Sequence, residues 1–352
     1  MELAITKQPV TVCETILSTQ LEQPLECDVL LPENSPDMAR VLSCQGRVWV
    51  TGQPTAGDRL TLEGMAVLCL YYLTEEDTPR RAEYKVPFTK TVELGGELGR
   101  PWLTMSAQIS YLNCRQVSGR RVDIRGAAMI DLLVRNMAEQ PLVTGAEGDG
   151  LMLRSEQRSC TAVIGQGCRP FSMEEELELG YGKAPVGQVV RVSGCVPSCE
   201  CRVVGGKAVV KGDLAVKVCY LTAEETPAYE TMEYTLPISQ ILDAPAGDEQ
   251  ADCQLELTVQ GISLQPAAGE DGMNRGFALT ADLSACITML REVLVEAASD
   301  CYSTDFAVQA STRPLGLPRM TAQVNERLTV KETVPLADEV AQVVDRWAEP
   351  GA

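Results

Sequence analysis

Two stretches of strict alternation, 148 residues apart, constrain this chain more than any other feature. Along 208–220 the even positions are Ala208, Val210, Gly212, Leu214, Val216, Val218 and Tyr220, while Lys207, Lys211, Asp213 and Lys217 take odd ones. A period of two predicts a β-strand with one face buried and one wet. Along 60–72 the even set is Leu60, Leu62, Gly64, Ala66, Leu68, Leu70 and Tyr72. An even offset keeps the same face buried, as a shared fold requires.

The repeat extends past these strands. Residues 64–79 read GMAVLCLYYLTEEDTP and residues 212–227 read GDLAVKVCYLTAEETP. Seven of these sixteen positions are identical, where average residue frequencies give about one. Gly46 pairs with Gly194 at the same offset, and Glu83-Tyr84 and Pro87 recur as Glu233-Tyr234 and Pro237 after a two-residue insertion. Gly57-Asp58 and Gly205-Gly206 mark hairpin turns at equivalent places. Further strands are expected at 47–51, 83–94, 104–113, 121–134, 192–202, 232–241, 254–264 and 276–290.

Regularly spaced strands with turn signals predict an all-β fold of tandem, duplicated β-sandwich-like modules. Linkers are expected at Thr144 to Gly150 and Thr312 to Pro318, and a mobile insertion at Pro266 to Arg275. The expected division is a first module over 1–150, a second over 151–318, and a partial third repeat or docking tail over 319–352. The third start rests on Val340-Ala341-Gln342-Val343-Val344, which resembles Val186-Gly187-Gln188-Val189-Val190. Helix signals are few. Ser35-Pro36-Asp37 would cap a short turn over Met38 to Leu42, and Pro335 to Trp347 would form a helix.

The residue inventory excludes several function classes. There is no histidine, so the commonest general base and metal ligand is missing. Serine–histidine and cysteine–histidine catalysis and mixed Cys/His zinc sites go with it. The net charge of −19 disfavours nucleic acid and anionic lipid as partners. Met1 to Lys7 has neither the basic nor the apolar region of a secretory signal, so synthesis in the cytoplasm is expected. No apolar run approaches the ~18 residues of a spanning helix, so membrane insertion is not expected.

Fourteen cysteines are the most chemically suggestive feature. In a reducing compartment they begin as thiols, and several, such as Cys69 and Cys286, read as small hydrophobes within strands. Cys195, Cys199 and Cys201 share parity, and on a regular strand they share a face. With a fourth ligand they would form a thiolate metal site. Pro197 interrupts the strand, the spacing is not that of a paired Cys-x-x-Cys, and the first module lacks these residues, so inert thiols are the expectation, with oxidative cross-linking the alternative. No cofactor site is expected. Glu75-Glu76-Asp77 and Glu224-Glu225 recur beside a Thr-Pro turn, which marks a turn rather than a carboxylate pair facing across a cleft. Tyr72, Tyr220, Tyr84 and Tyr234 read as core aromatics with their hydroxyls at the rim.

Leu30-Leu31-Pro32-Glu33-Asn34-Ser35-Pro36-Asp37, then Arg40-Val41-Leu42, Gly46, the strand from Gly64 to Tyr72, and Tyr84-Lys85-Val86-Pro87-Phe88 resemble the SPOCS domain, the repeated module of SipL-type spore-coat proteins. The likeness extends over both modules and the third start. It implies a non-enzymatic structural protein of the spore envelope, made in the mother cell and taken to the spore coat or surface. The expected partners are coat or morphogenetic proteins, or further copies of the chain. SipL's LysM domain has no counterpart here, so its ATPase partner is not carried over. Tandem modules suit multivalent docking, and exposed strand edges suit pairing by an added strand. The alternative is a carbohydrate- or peptidoglycan-binding module, for which the tryptophans are Trp49, Trp102 and Trp347.

Overall fold

The computed structural model describes residues 4–55, 58–96, 101–148, 150–269, 271–309, 311–312, 314–322, 324, 331–333 and 335. Twelve strands follow one another: β1 (Ala4–Leu30), β2 (Met38–Thr55), β3 (Arg59–Thr74), β4 (Pro79–Glu93), β5 (Pro101–Ser118), β6 (Arg121–Glu147), β7 (Leu151–Glu178), β8 (Val186–Val204), β9 (Lys207–Thr222), β10 (Tyr229–Asp243), β11 (Asp252–Ala268) and β12 (Asn274–Ser303). They form four antiparallel three-stranded sheets, ordered β1-β6-β5, β2-β3-β4, β11-β12-β7 and β10-β9-β8.

The sheets pair into two sandwiches with the same strand order, as the repeat predicts. In the first, Leu68, Leu70 and Tyr72 of β3 pack with Leu25 and Val29 of β1 and with Val122 and Ile124 of β6. Leu60 and Leu62 meet Ile130, Leu132 and Val134. In the second, Ala208 to Tyr220 bury their even positions against Phe277, Leu279, Leu283 and Ile287 of β12. The even faces of β3 and β9 are therefore the core faces, and Lys207, Lys211 and Asp213 stay outside it. The Gly205-Gly206 turn takes φ of 59° and 75°, the left-handed region that glycine enters without a Cβ penalty. Gln166 donates to the Leu103 carbonyl (3.1 Å) and Gln188 to the Pro79 carbonyl (3.3 Å), linking the two sandwiches.

Several expectations are corrected. Met38 to Leu42 is strand, not a helical turn, because Met38 is buried in the core and Arg120 engages the Asp37 carboxylate (2.6 Å) that would have capped a helix. β6 runs through the expected linker to Glu147, leaving a turn closed by Leu151 N–H donating to the Gly148 carbonyl (3.1 Å). Half of Pro266 to Arg275 is strand. β11 ends at Ala268, β12 begins at Asn274, and Gly269 donates to the Met273 carbonyl (2.7 Å) in the turn between them. The 340–344 segment lies outside the described residues, as does 336–347 of the expected helix.

β1 and β7 have no counterpart in the expected strands. Past Pro101, which pairs with Asn136, β6 continues beside β1 alone. Past Asp252, which pairs with Leu290, β12 continues beside β7 alone. Each sandwich thus extends into a two-stranded ribbon.

Proline placement follows the topology. The central strands β3, β9 and β12 contain none, and Pro141 of β6 lies where β5 has ended. The edge strands β1, β4, β7 and β10 carry Pro24, Pro87, Pro170 and Pro237 in their interiors. Proline has no N–H to offer a further strand, so it belongs on edges and blunts them.

Candidate functional site

β8 carries the thiol cluster, and its register decides what the cluster can do. Cys195 pairs with Ala215, but Ser198 pairs with Asp213, so a bulge at Val196-Pro197 inserts one residue. Cys199 and Cys201 then fall opposite Gly212 and Val210, on the core-facing side of β9. Cys195 falls on the other face and is exposed. The shared face expected from parity is lost because parity holds only on an unbroken strand. Among the described residues, no three of His, Cys, Asp and Glu are grouped to hold a metal ion.

Sulfur meets sulfur elsewhere. Cys253 of β11 donates to Cys201 of β8, and burial together with this bond pushes the Cys253 thiol up to about 12. In the first sandwich Cys44 of β2 donates to Cys114 of β5, which raises Cys44 and lowers Cys114. Cys168 and Cys286 stand opposite each other in the β7–β12 ladder and form a disulfide. Cys286, expected as an inert small hydrophobe, is therefore bonded. Cys69 points out of the sandwich, where Arg81 Nη2 lies 3.7 Å from its sulfur and the thiol donates to Glu83 (3.8 Å). Burial raises its pKa, so it is a poor nucleophile.

The repeated carboxylates sit in the β3–β4 and β9–β10 turns, all exposed. Asp77 takes a φ of 56°, a turn conformation. Tyr72 and Tyr220 are buried as expected, Tyr220 donates to Glu230 (2.8 Å), and Tyr234 donates to the Glu178 carbonyl (3.0 Å). The Tyr84 hydroxyl, expected at the rim, is instead buried without a hydrogen-bond partner among the described residues. Burial and the Glu230 bond raise the Tyr220 pKa. Glu230 also contacts Lys183 at 3.3 Å.

Arg120, in the β5–β6 turn, was not singled out by sequence reasoning. It clamps the Leu31 to Asp37 loop, donating to the carbonyls of Leu31 (3.3 Å), Pro32 (2.7 Å) and Ser35 (3.1 Å) and to the Asp37 carboxylate (2.6 Å). The Leu-Pro…Pro-Asp motif is thus a loop whose carbonyls converge on one guanidinium. Arg120→Ala removes this fork. The Asp37 pair is half-exposed and contributes little, but orphaned carbonyls cost more. We expect a loss of about 2 kcal/mol by urea titration, with Arg120→Lys recovering less than half because an ammonium lacks the planar fork.

The family model for SipL, SPOCS domain, matches residues 185–266. That span takes in β8, β9 and β10 whole and nearly all of β11. No curated protein and no solved structure matches the chain. The chain is therefore similar to the SPOCS domain over four consecutive strands, and β2 to β5 repeat those strands in the same order.

Proposed function

We propose that this chain is a non-enzymatic structural and interaction protein of the bacterial spore envelope. It is made in the mother cell and assembles on the spore with coat or morphogenetic proteins, or with itself, through its tandem β modules. The modules span 1–150 and 151–318, with 319–352 as a third start or docking tail. The observation that supports this reading best is the SPOCS match over β8 to β11, with its strand order repeated in β2 to β5. Two sandwiches in one chain offer two docking surfaces, which favours avidity over single-site affinity. Prolines on β1, β4, β7 and β10 direct docking to faces and loops rather than to added strands.

A carbohydrate-binding reading fares worse. Such sites stack sugars on open aromatic faces, and the Trp102 ring is covered by the Arg135 guanidinium at 4.6 Å. A fluorescent fusion of the full chain in a sporulating bacterium is expected to move from the mother-cell cytoplasm to a shell around the developing spore. Persistent diffuse fluorescence, or retention of the purified protein on isolated cortex, would overturn the proposal.

A further inference from the structure

The two sheets of each sandwich approach each other along one side, β2 against β5 and β8 against β11, without a hydrogen-bonded ladder. Glycines reveal the register of this seam. A Cβ at Gly46 would lie 3.0 Å from Leu112 and 3.2 Å from Ile109, and one at Gly52 would lie 3.1 Å from Leu103. β2 and β5 therefore run antiparallel, and Cys44 and Cys114 face each other two residues beyond the Gly46–Leu112 contact. Both side chains are partly buried and pack against the core of the first sandwich, with Cys44 donating to Cys114.

The second sandwich repeats the seam with different residues. A Cβ at Gly194 would lie 2.8 Å from Ile262, the counterpart of Gly46 against Leu112. The places of Cys44 and Cys114 are taken by Val192 and Leu264, 8% and 7% exposed. The thiol pair sits instead at the other end, where Cys201 meets Cys253. In the ladders, Cys201 and Cys253 hold the places of Gly52 and Leu103, which touch in the first sandwich. Each seam therefore holds one sulfur pair, at non-equivalent positions, so the pairs do not descend from one ancestral pair. A thiol is a weak hydrogen-bond donor, and at either place the sister module packs without it.

We propose that Cys44 with Cys114, and Cys201 with Cys253, are disulfide-forming sites that staple the two sheets of each sandwich together when the chain meets a low-molecular-weight disulfide. One cysteine, as thiolate, attacks a sulfur of the small disulfide and releases one small thiolate. The partner cysteine loses its proton and attacks the protein-bound sulfur, forming the protein disulfide and releasing the second small thiolate. Two protein thiols are oxidised, one small disulfide is reduced to two thiols, and the two protons go to the thiolates released. Cys114, whose thiolate Cys44 stabilises by donation, is the better first attacker of its pair.

The test uses the purified full chain, so its outcome is independent of the spore assignment. The protein is equilibrated with mixtures of oxidised and reduced glutathione, quenched by alkylation, and mapped by mass spectrometry without reduction. The expected result is monomeric protein carrying Cys44–Cys114 and Cys201–Cys253 links. The thermal midpoint rises by roughly 5–10 °C per link. Cys44→Val with Cys114→Leu copies the packing of Val192 and Leu264, so the reduced midpoint stays near wild type and the rise from the first seam disappears. Seam thiols that remain alkylatable after Cys195 and Cys199 have formed mixed disulfides would overturn the proposal. So would bonds between chains, or an undiminished rise in the double variant.

Discussion

Phe277→Ala is expected to destabilise the second sandwich by about 4 kcal/mol, the scale of a large aromatic deleted from a close-packed core. Phe277 is fully buried. Its ring meets Tyr220 edge-on at 5.6 Å between centroids and Tyr234 at 6.4 Å. Alanine removes the ring that both tyrosines pack on, and the sheets on either side cannot close the gap without breaking ladder register. Val122, buried in β6, pairs with Val29 where Phe277 pairs with Leu177, so the first sandwich fills the same place with a smaller side chain. Phe277→Leu should therefore lose only about 1–1.5 kcal/mol. Urea titration followed by tyrosine fluorescence measures both. A Phe277→Ala loss below about 1 kcal/mol would mean that the aromatic cluster is not the centre of this core.

Breaking Cys168–Cys286 is the other large effect. The bond closes a loop with a sequence separation of 118 residues. Chain-entropy reasoning assigns such a cross-link about 4–5 kcal/mol, through restriction of the unfolded chain. Cys286→Ser should lower the thermal midpoint of the second sandwich by about 10 °C, and reduction of the wild-type protein should do the same. Cys195→Ser is the matching control. Cys195 is an exposed thiol without a disulfide, and its replacement should change stability by less than about 0.5 kcal/mol. Equal midpoints for Cys286→Ser and wild type under non-reducing conditions would show that the bond does not restrain folding.

What the sequence made legible was what buries one face on a regular period. The alternation at 60–72 and 208–220 led directly to β3 and β9, and the even offset matched their core faces. β1 and β7 were missed because their ribbon halves are half-wet on both faces, which erases the period-two signal. The helical turn at Met38 failed because Asp37 has a distant partner, Arg120, that local capping logic cannot see. The thiols show the same limit. Parity placed Cys195 beside Cys199 and Cys201, and one bulged residue separated them. Cys286 found Cys168 only through a strand register set across more than a hundred residues. Pro197 was the one local sign that β8 would break its period.

The central claim is that one sandwich is built twice, with β3 and β6 at the heart of the first copy and β9 and β12 at the heart of the second. Amide hydrogen exchange on the intact protein reads this directly. The slowest amides should lie in all four of these strands, with β4 and β10 exchanging faster. Protection confined to one copy, or slow amides in β4 and β10 with fast ones in β3 and β9, would contradict it.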